Sequence, residues 1–547
     1  MLLTLVAALV LAQSTQIPAG AAAPQPPPLR PPTRADVLLG EYGRYRANND
    51  LLYYHLDVRV DPEKKTIAGK NTIRFKMLKD DTRIQLDLYA NLNVDKIVMG
   101  GKVPLKYERE LNTVWVDFPE TLKSGRTYDI DFHYSGQPKE AGRFGGFAFK
   151  KDPAGNDWIF TACEGEGAAI WWPNKDQWRD EVEHMDLSVA IPNALVDVSN
   201  GKFAGKTDLG DGYTRWDWQI QYPINNYSVS VNIGKYEHFS DKVGDVPMDF
   251  YVLPGSLEKA RQQFAQAGPM IAAYEHYFGE YPFKKDGFKL VEVPYSGMEH
   301  QSAVTYGNRF ANGYLERDWT GVGISTKFDF IIIHESGHEW FGNAVSAADV
   351  SDMWIHEGWT TYLECLYVER LFGADAAVKY TNGYKSKVRN REPIITQRGI
   401  HRTPPQDMYF KGALFLNTLR NVVNDDNRWF TLIHDVFQKF KYRNILTEEL
   451  VAFINQQLGS DLTPLFDQYL RRSDLPVLEL AFNEAEGTVA YRWKADERAF
   501  TMPIKVGDPA AWQIVQPTTD WQVMKTTLKK DAFAVATDLF YVDVRKQ

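Results

Sequence analysis

The sequence predicts a multidomain α+β protein, and three changes in the spacing of its apolar residues indicate this. Alternation with period two runs over 50–240, which is typical of an antiparallel β domain with one solvated face. Further along, the apolar spacing lengthens to three and four residues, which predicts a mostly helical domain over 241–474. Alternation then returns, so we expect a small C-terminal β-sandwich over 475–547. A chain of 547 residues is long enough for three such parts.

The amino-terminal stretch predicts export. Residues 1–17 contain a short apolar run and small residues where a signal peptidase reads, and the run is too short to span a bilayer stably. No Lys or Arg precedes Arg30, so the alternatives are an undersized anchor or a mis-chosen start. The Pro-rich stretch that follows, over 18–49, is predicted to be an extended leader. We therefore expect a periplasmic or secreted protein.

The bulk composition excludes some partners. With 44% hydrophobic and 24% charged residues the chain is a globular protein with ample core. Its net charge of −9 argues against a nucleic-acid partner, because little would neutralise phosphates. The two cysteines, Cys163 and Cys365, could pair in an exported protein, but Cys365 lies in a predicted helix, where a buried free thiol is favoured. The oligomeric state is left open.

The stretch 328–341 is predicted to be a helix that carries a metal site. His334 and His338 are four residues apart, so both imidazoles lie on one face and can bind one ion. Glu335 lies about 100° round the helix from His334, where it is free to act as a base. A catalytic zinc ion needs a third ligand, and Glu357, on a predicted antiparallel second helix, is the candidate. The alternative is a buried histidine pair without metal.

The residues around this site resemble a known family. Two segments carry the resemblance, Trp340-Phe341-Gly342-Asn343 and Glu357-Gly358-Trp359. They are similar to segments of the zinc aminopeptidase family of aminopeptidase N and the leukotriene hydrolase, whose members are gluzincins. The resemblance covers most of the chain and implies a saddle-shaped amino-terminal β domain and a thermolysin-like catalytic domain. It also implies one zinc ion per chain and peptide substrates with a free amino terminus, from which single residues are removed.

Two further segments resemble the family's amine-binding residues. Ser296-Gly297-Met298-Glu299-His300 is similar to its Gly-Ala-Met-Glu-Asn strand, in which the backbone of the segment pairs with substrate and the glutamate binds the free amine. Thr161-Ala162-Cys163-Glu164 is similar to a segment whose acidic side chain binds the same amine. The resemblance thus implies substrate-binding roles for Gly297, Met298, Glu299 and Glu164. Solvated surface carboxylates are the alternative for the two glutamates.

A third segment, Met408-Tyr409-Phe410-Lys411-Gly412, resembles the family's Tyr-x-Lys-Gly, whose phenol stabilises the oxyanion of the reaction. By pattern alone Tyr380 and Tyr384 are equal candidates, and the adjoining lysine and glycine favour Tyr409. On the second helix, Glu364 shares a face with Glu357 and either orients a zinc-bound histidine or forms an ordinary ion pair.

The departures from the family pattern bear on specificity. His300 stands where the family has Asn, and we expect it to add a group that titrates near neutrality beside the amine site.

Other reactions stay open at this point. An endopeptidase needs the same zinc ligands without the amine-binding pair, a lipid epoxide hydrolase needs an apolar tunnel, and a non-enzymatic peptide-binding relative would usually lose its zinc ligands. The preferred amino-terminal residue and the accepted peptide length are not indicated.

Overall fold

The first part of the computed structural model is a β domain; residues 30–142 and 144–547 are described. Its largest sheet has the strand order β13-β14-β11-β1-β2-β8-β4-β5, and two smaller sheets have the orders β12-β15-β10-β9 and β3-β7-β6. The strands are β1 (Asn49–Asp61), β2 (Thr66–Met77), β3 (Asp81–Asp87), β4 (Leu92–Met99), β5 (Val103–Pro104), β6 (Lys106–Glu110), β7 (Thr113–Leu122), β8 (Thr127–Gly136), β9 (Gly146–Lys151), β10 (Asp157–Ala162), β11 (His184–Pro192), β12 (Val196–Ser199), β13 (Lys202–Asp208), β14 (Tyr213–Ile220) and β15 (Val231–Gly234).

Buried and more exposed side chains alternate along these strands, as the sequence predicts. Leu56, Val58 and Val60 of β1 are fully buried, while their neighbours along the strand are half-buried. One pairing differs from the antiparallel expectation, because β1 and β11 run parallel. Parallel neighbours require a long crossover, and here the chain between them supplies β2, β4, β5 and β8 of the same sheet, all of the β3-β7-β6 sheet, and β9 and β10.

The second part joins a mixed sheet to a helical bundle. The sheet order is β16-β17-β18-β20-β19, so β19 is an edge strand, and β21 pairs with β22 separately. The strands are β16 (Glu237–Val243), β17 (Val246–Val252), β18 (Phe288–Glu292), β19 (Gly297–Met298), β20 (Val304–Tyr306), β21 (Val345–Ala347) and β22 (Arg443–Ile445). The helices are α3 (Leu257–Gln263), α4 (Ala267–Phe278), α5 (Phe330–Gly337), α6 (Trp354–Phe372), α7 (Ala374–Gly383), α8 (Asp407–Val423), α9 (Asp426–Phe440), α10 (Thr447–Leu458) and α11 (Thr463–Leu470).

The C-terminal part is β structure, as predicted. Two small sheets have the orders β27-β24-β23-β29 and β26-β25-β28. Buried side chains of both sheets, among them Leu480, Trp493 and Val506, belong to the hydrophobic core. The strands are β23 (Val477–Asn483), β24 (Thr488–Lys494), β25 (Ile504–Asp508), β26 (Ala511–Val515), β27 (Gln522–Lys525), β28 (Ala534–Val535) and β29 (Asp543–Lys546).

The leader predicted over 18–49 is folded where the structure describes its later part. Two short helices lie there, α1 (Arg34–Gly40) and α2 (Arg44–Ala47). The reason is one buried ion pair: the Arg46 guanidinium lies 2.5 Å from Asp87 of the β domain, and both side chains are fully buried. Arg46 also donates to the carbonyl oxygens of Leu38 and Leu39, which holds α1 in place. Composition could not predict this, because the pairing joins residues distant in sequence.

Other expectations have mixed outcomes. The predicted signal peptide, 1–17, lies outside the described residues and stays a prediction. Among the described residues no helix is both long and apolar enough to cross a membrane. Cys163 and Cys365 are both buried free thiols. Thr33–Gln547 forms one compact unit.

Helices α6 and α8 cross at two glycines. A methyl group on Gly412 would lie 2.8 Å from the Cα of Gly358, and one on Gly358 would lie 2.9 Å from the carbonyl oxygen of Met408. Both distances are shorter than carbon and oxygen atoms tolerate, so the two backbones approach as closely as they do only because neither residue has a side chain. This crossing brings the start of α8 against the first turn of α6.

We expect Gly412→Ala to lower the free energy of unfolding by about 1–3 kcal/mol, because the crossing helices must separate. Gly268→Ala is the matched control, since Gly268 lies in α4 with open space around its Cα. An added methyl there should leave stability unchanged or raise it by up to about 1 kcal/mol. Thermal denaturation of both variants beside the parent protein measures this; equal melting temperatures for the two variants would refute the crossing argument.

Candidate active site

Helix α5 carries His334 and is capped by His338, so it is shorter than the predicted 328–341. It begins after Asp329, whose carboxylate accepts from the backbone N–H groups of Ile331 and Ile332, and it ends at Gly337. His338 follows as the C-terminal cap, still with helical dihedral angles. Both imidazoles therefore keep the spacing of a helical turn, with their Nε2 atoms 3.3 Å apart.

Helix α6 brings Glu357 to the same point. Its Oε2 lies 3.6 Å from His334 Nε2 and 3.3 Å from His338 Nε2. Tetrahedral zinc with bonds of 2.0–2.1 Å separates its ligand atoms by roughly 3.3–3.4 Å, so these distances fit one zinc ion. Glu357 Oε2 is buried and has no hydrogen-bond partner among the described residues, as expected for an atom that faces a metal. Two imidazoles and a carboxylate are also a donor set that zinc prefers in catalytic sites.

Hydrogen bonds orient both histidines. His334 Nδ1 donates to Glu364 Oε1 at 2.6 Å, and His338 Nδ1 donates to the carbonyl oxygen of Phe341 at 2.9 Å. Each Nε2 lone pair is thereby directed at the cluster. Of the two roles that the sequence allowed for Glu364, the structure has the orienting one. The phenols of Tyr380 and Tyr384 both donate to the other oxygen of Glu364, so these two tyrosines support the histidine and do not face a substrate oxyanion.

Glu335 lies between the cluster and the edge strand β19. Oxygen atoms of Glu335 and Glu299 and a ring nitrogen of His338 lie within 4.8 Å of one another. Burial raises the pKa of Glu335 to about 7. A methyl group on Gly297 would lie 2.6 Å from Ile331 Cγ2 and 3.1 Å from Glu335 Cγ, so only glycine lets β19 come this close to α5.

The remaining predicted residues of β19 have different surroundings. Met298 is buried, so its side chain packs in the core and only its backbone is available at the sheet edge. Glu299 is buried too, and Tyr227 OH donates to its Oε1 at 3.0 Å. The side-chain amide of Asn343 also fixes Glu299, because it donates a hydrogen bond to the Glu299 carbonyl oxygen at 2.8 Å. The sequence did not indicate Tyr227, because no motif surrounds it and its partner is distant in sequence.

Glu164 joins this group from the β domain. Burial, together with the negative charges of Glu299, Glu357 and Glu335, raises its pKa well above the usual value. Its Oε1 is buried without a hydrogen-bond partner among the described residues. Burial likewise raises the pKa of Glu299. For Glu357 burial opposes ionisation, but His338 and His334 outweigh it and lower its pKa. Such a concentration of buried carboxylates favours a cationic ligand.

The expectation for His300 was wrong. Its side chain is fully buried, and burial lowers its pKa to about 3. Neither ring nitrogen has a hydrogen-bond partner among the described residues. His300 is therefore neutral near pH 7 and does not titrate beside the amine site. The sequence could not indicate this, because a histidine's pKa depends on burial that only the fold determines.

Tyr409 stands on the other side of the cluster, on the first turn of α8. Its ring stacks on His334 with centroids 6.0 Å apart. Lys411, two residues on, is buried and donates to the carbonyl oxygens of Arg472 and Ser473 at 2.9 Å each. The lysine of the Tyr-x-Lys-Gly segment thus anchors the helix, and the glycine permits the crossing with α6. Both hold Tyr409 in place.

A cavity of about 420 Å³ opens beside the cluster. His334, Glu335 and Tyr409 line it, together with Trp319, Lys387 and Arg389. The cavity is large enough for a small ligand. It lies on the His334 side of the cluster; Glu164, Glu299 and His338 do not line it.

We expect Glu364→Gln to weaken zinc affinity by about 10- to 100-fold, because the orienting carboxylate loses its charge. Glu369→Gln is the matched control, since Glu369 lies on the same helix but pairs with Arg420 at 2.6 Å, away from the cluster. Titration of each zinc-loaded variant with a competing chelator measures the affinity. Equal affinities for the two variants would remove Glu364 from the site.

Comparisons with known proteins agree with this geometry. The Peptidase M1 N-terminal domain matches residues 51–227, and the Peptidase family M1 domain matches residues 263–469. The chain is 24% identical over 423 residues to a probable aminopeptidase 2 of Sulfurisphaera tokodaii, covering 74% of this chain and 52% of that protein. It is 23% identical over 462 residues to a puromycin-sensitive aminopeptidase of Caenorhabditis elegans, covering 78% and 47%. The chain thus spans about half the length of these two relatives.

Solved structures show the same fold. The crystal structure of an M1 zinc metallopeptidase from Deinococcus radiodurans superposes with a TM-score of 0.66 at 21% identity, covering 78% of this chain and 95% of that one. The two matched domains cover both the β domain and the helical domain that carries the histidines. The chain therefore belongs to peptidase family M1.

Proposed function

We propose that the protein is a zinc-dependent aminopeptidase, which hydrolyses the first peptide bond of peptides with a free amino terminus. The observation that carries the proposal is the position of Glu299 and Glu164. Glu299 is buried, Glu164 is half-buried with its Oε1 enclosed, and the Glu299 carboxylate lies within 4.8 Å of Glu335 and His338. An ammonium group is the natural partner of two such carboxylates. Several relatives in family M1 carry the name aminopeptidase, which supports the same reaction.

The two glutamates would determine which bond is cleaved. A substrate whose terminal ammonium contacts both of them has its first carbonyl group at a fixed distance, next to His334, His338 and Glu357. An internal peptide bond has no ammonium at that distance. A crystal structure of a mutant of the Deinococcus radiodurans enzyme is described as bound to a Tyr-Ser-Ala substrate, which supports peptide binding in this fold.

His334, His338 and Glu357 would hold the zinc ion, which supplies Lewis-acid polarisation of the carbonyl and lowers the pKa of water. Glu335 accepts the proton of the attacking water and afterwards gives it to the leaving amine. Tyr409 donates a hydrogen bond to the oxyanion that develops on the carbonyl oxygen, an interaction that is strongest in the transition state. Gly297 and Met298 offer backbone groups at the sheet edge, where an extended substrate can pair.

We expect Glu335→Gln to keep its zinc and lose about 10³-fold in turnover, because the amide cannot accept the proton. Tyr409→Phe should lose about 10²- to 10³-fold in kcat, because one oxyanion donor is removed. Tyr367→Phe is the control for loss of a phenol, since Tyr367 is buried on α6 away from the cavity. Aminoacyl anilides report kcat and KM, and zinc content is measured on the same samples. A near-normal rate in zinc-loaded Glu335→Gln would exclude the proposed base.

We expect Glu299→Ala to reduce the preference for free over N-acetylated amino termini by about 10- to 100-fold, because a charged hydrogen-bond partner of the ammonium is lost. Glu299→Gln keeps the shape of the side chain, so its preference for free amino termini should lie between that of the parent protein and that of Glu299→Ala. The measurement is kcat/KM for aminoacyl anilides beside their acetylated forms. Efficient cleavage of acetylated substrates by the parent protein would indicate an endopeptidase instead.

A further inference from the structure

Two cations that the proposed mechanism does not use line the active-site cavity. Lys387 and Arg389 share this lining with Glu335 and Tyr409. The Lys387 ammonium lies 3.5 Å from the centroid of the Trp319 ring, and the Phe410 ring is 5.8 Å away. Aromatic rings thus hold the ammonium in place while leaving its donors available.

Neither cation forms an ion pair within the parts of the chain that the structure describes, 30–142 and 144–547. The acidic groups that act on Lys387 are Asp318 and Glu364. Glu364 already accepts from His334, Tyr380 and Tyr384.

Asp318 is satisfied as well. It accepts from the hydroxyl of Ser325 and from the backbone N–H of Gly323. The two carboxylates that act on Lys387 are therefore committed to other donors, and Arg389 has no ion-pair partner in the same described parts of the chain. In a chain of net charge −9, two such cations beside one cavity favour an anionic ligand there.

The position of the cavity determines which part of a bound substrate would reach Lys387 and Arg389. Glu299 and Glu164, the proposed amine site, do not line the cavity, and the Glu299 carboxylate lies within 4.8 Å of a ring nitrogen of His338, which does not line it either. A peptide bound with its ammonium at Glu299 and its carbonyl group at the zinc ligands must extend away from Glu299. Its leaving portion then enters the cavity on the His334 side. This step rests on the proposed function.

We propose that Lys387 and Arg389 bind a carboxylate on the leaving side of the scissile bond, so that the enzyme prefers short peptides with an anionic group close to that bond. Two groups offer this chemistry: the α-carboxylate of a dipeptide or tripeptide, and the acidic side chain of the residue after the scissile bond. Arg389 supplies a planar donor pair and Lys387 a point charge, which together suit a carboxylate. A cavity of about 420 Å³ accommodates a leaving portion of this size.

The test compares substrates that differ only in that charge. The amino-terminal residue is the one preferred in the anilide assay. One pair is its dipeptide with alanine, as the free acid and as the amide. The other pair carries glutamate or glutamine after the scissile bond, both as amides. In at least one pair we expect the charged peptide to have a kcat/KM about 3- to 10-fold higher than its uncharged partner. An effect in the first pair would indicate the α-carboxylate, and an effect in the second pair would indicate the acidic side chain.

The double variant Lys387→Met with Arg389→Gln should bring that ratio to about one. Arg391→Gln is the matched control, because Arg391 lies two residues beyond Arg389 but does not line the cavity, and its ratio should stay that of the parent protein. Ratios near one for both pairs in the parent protein would overturn the proposal. A ratio that survives in the double variant would overturn it too.

A binding measurement separates this proposal from the aminopeptidase proposal. Calorimetric titration of zinc-loaded Glu335→Gln with the same acid and amide pairs reports affinity without turnover. Tighter binding of the acid that is lost when Lys387→Met and Arg389→Gln are added supports the carboxylate site even if no anilide is cleaved. Equal affinity for acid and amide overturns it even if the protein proves to be an aminopeptidase.

Discussion

The close contact of helices α5 and α6 is the constraint on which the active site depends. His334 of α5 and His338 at its C-terminal cap meet two carboxylates from α6: Glu357 faces both Nε2 atoms, and Glu364 accepts from Nδ1 of His334. Each carboxylate alone would be costly to bury, and each is stabilised by the histidines or phenols around it. The rest of the helical domain supports this pair. The Gly358 and Gly412 crossing sets α8 against α6, and the same crossing places Tyr409 over His334.

Electrostatics divide the site into two sides. Away from the cavity, Glu299 and Glu164 form an acidic group, in which burial raises the pKa of both and the charge of Glu299 raises the pKa of Glu164 further. On the His334 side, the cavity wall presents Lys387 and Arg389. A free peptide carries the complementary charges, an ammonium at one end and a carboxylate at the other. Under the two proposals, these charges would help to orient a short peptide along the cleft.

Several site residues were recognisable because chemistry restricts their spacing. His334, Glu335 and His338 need one helical turn, and that turn is local, so the sequence predicted it although α5 ends at Gly337 rather than 341. The prediction of Glu357 as the third ligand required only a second helix that runs back past the first. The outcomes that the sequence did not indicate all depend on contacts between distant residues. Arg46 folds the predicted leader onto Asp87, Tyr227 holds Glu299, and burial keeps His300 neutral.

The sequence by itself indicated the β–α–β order of the parts, the candidate metal ligands and the family. These follow from local periodicity and from motif spacing, which survive without knowledge of the fold. Only the tertiary structure decided which tyrosine faces the cluster, since Tyr380 and Tyr384 bind Glu364 while Tyr409 stacks on His334. It also decided that Lys387 and Arg389 share a cavity with Glu335. The physical reason is that charge and hydrogen bonding act through space, whereas sequence patterns report only neighbours along the chain.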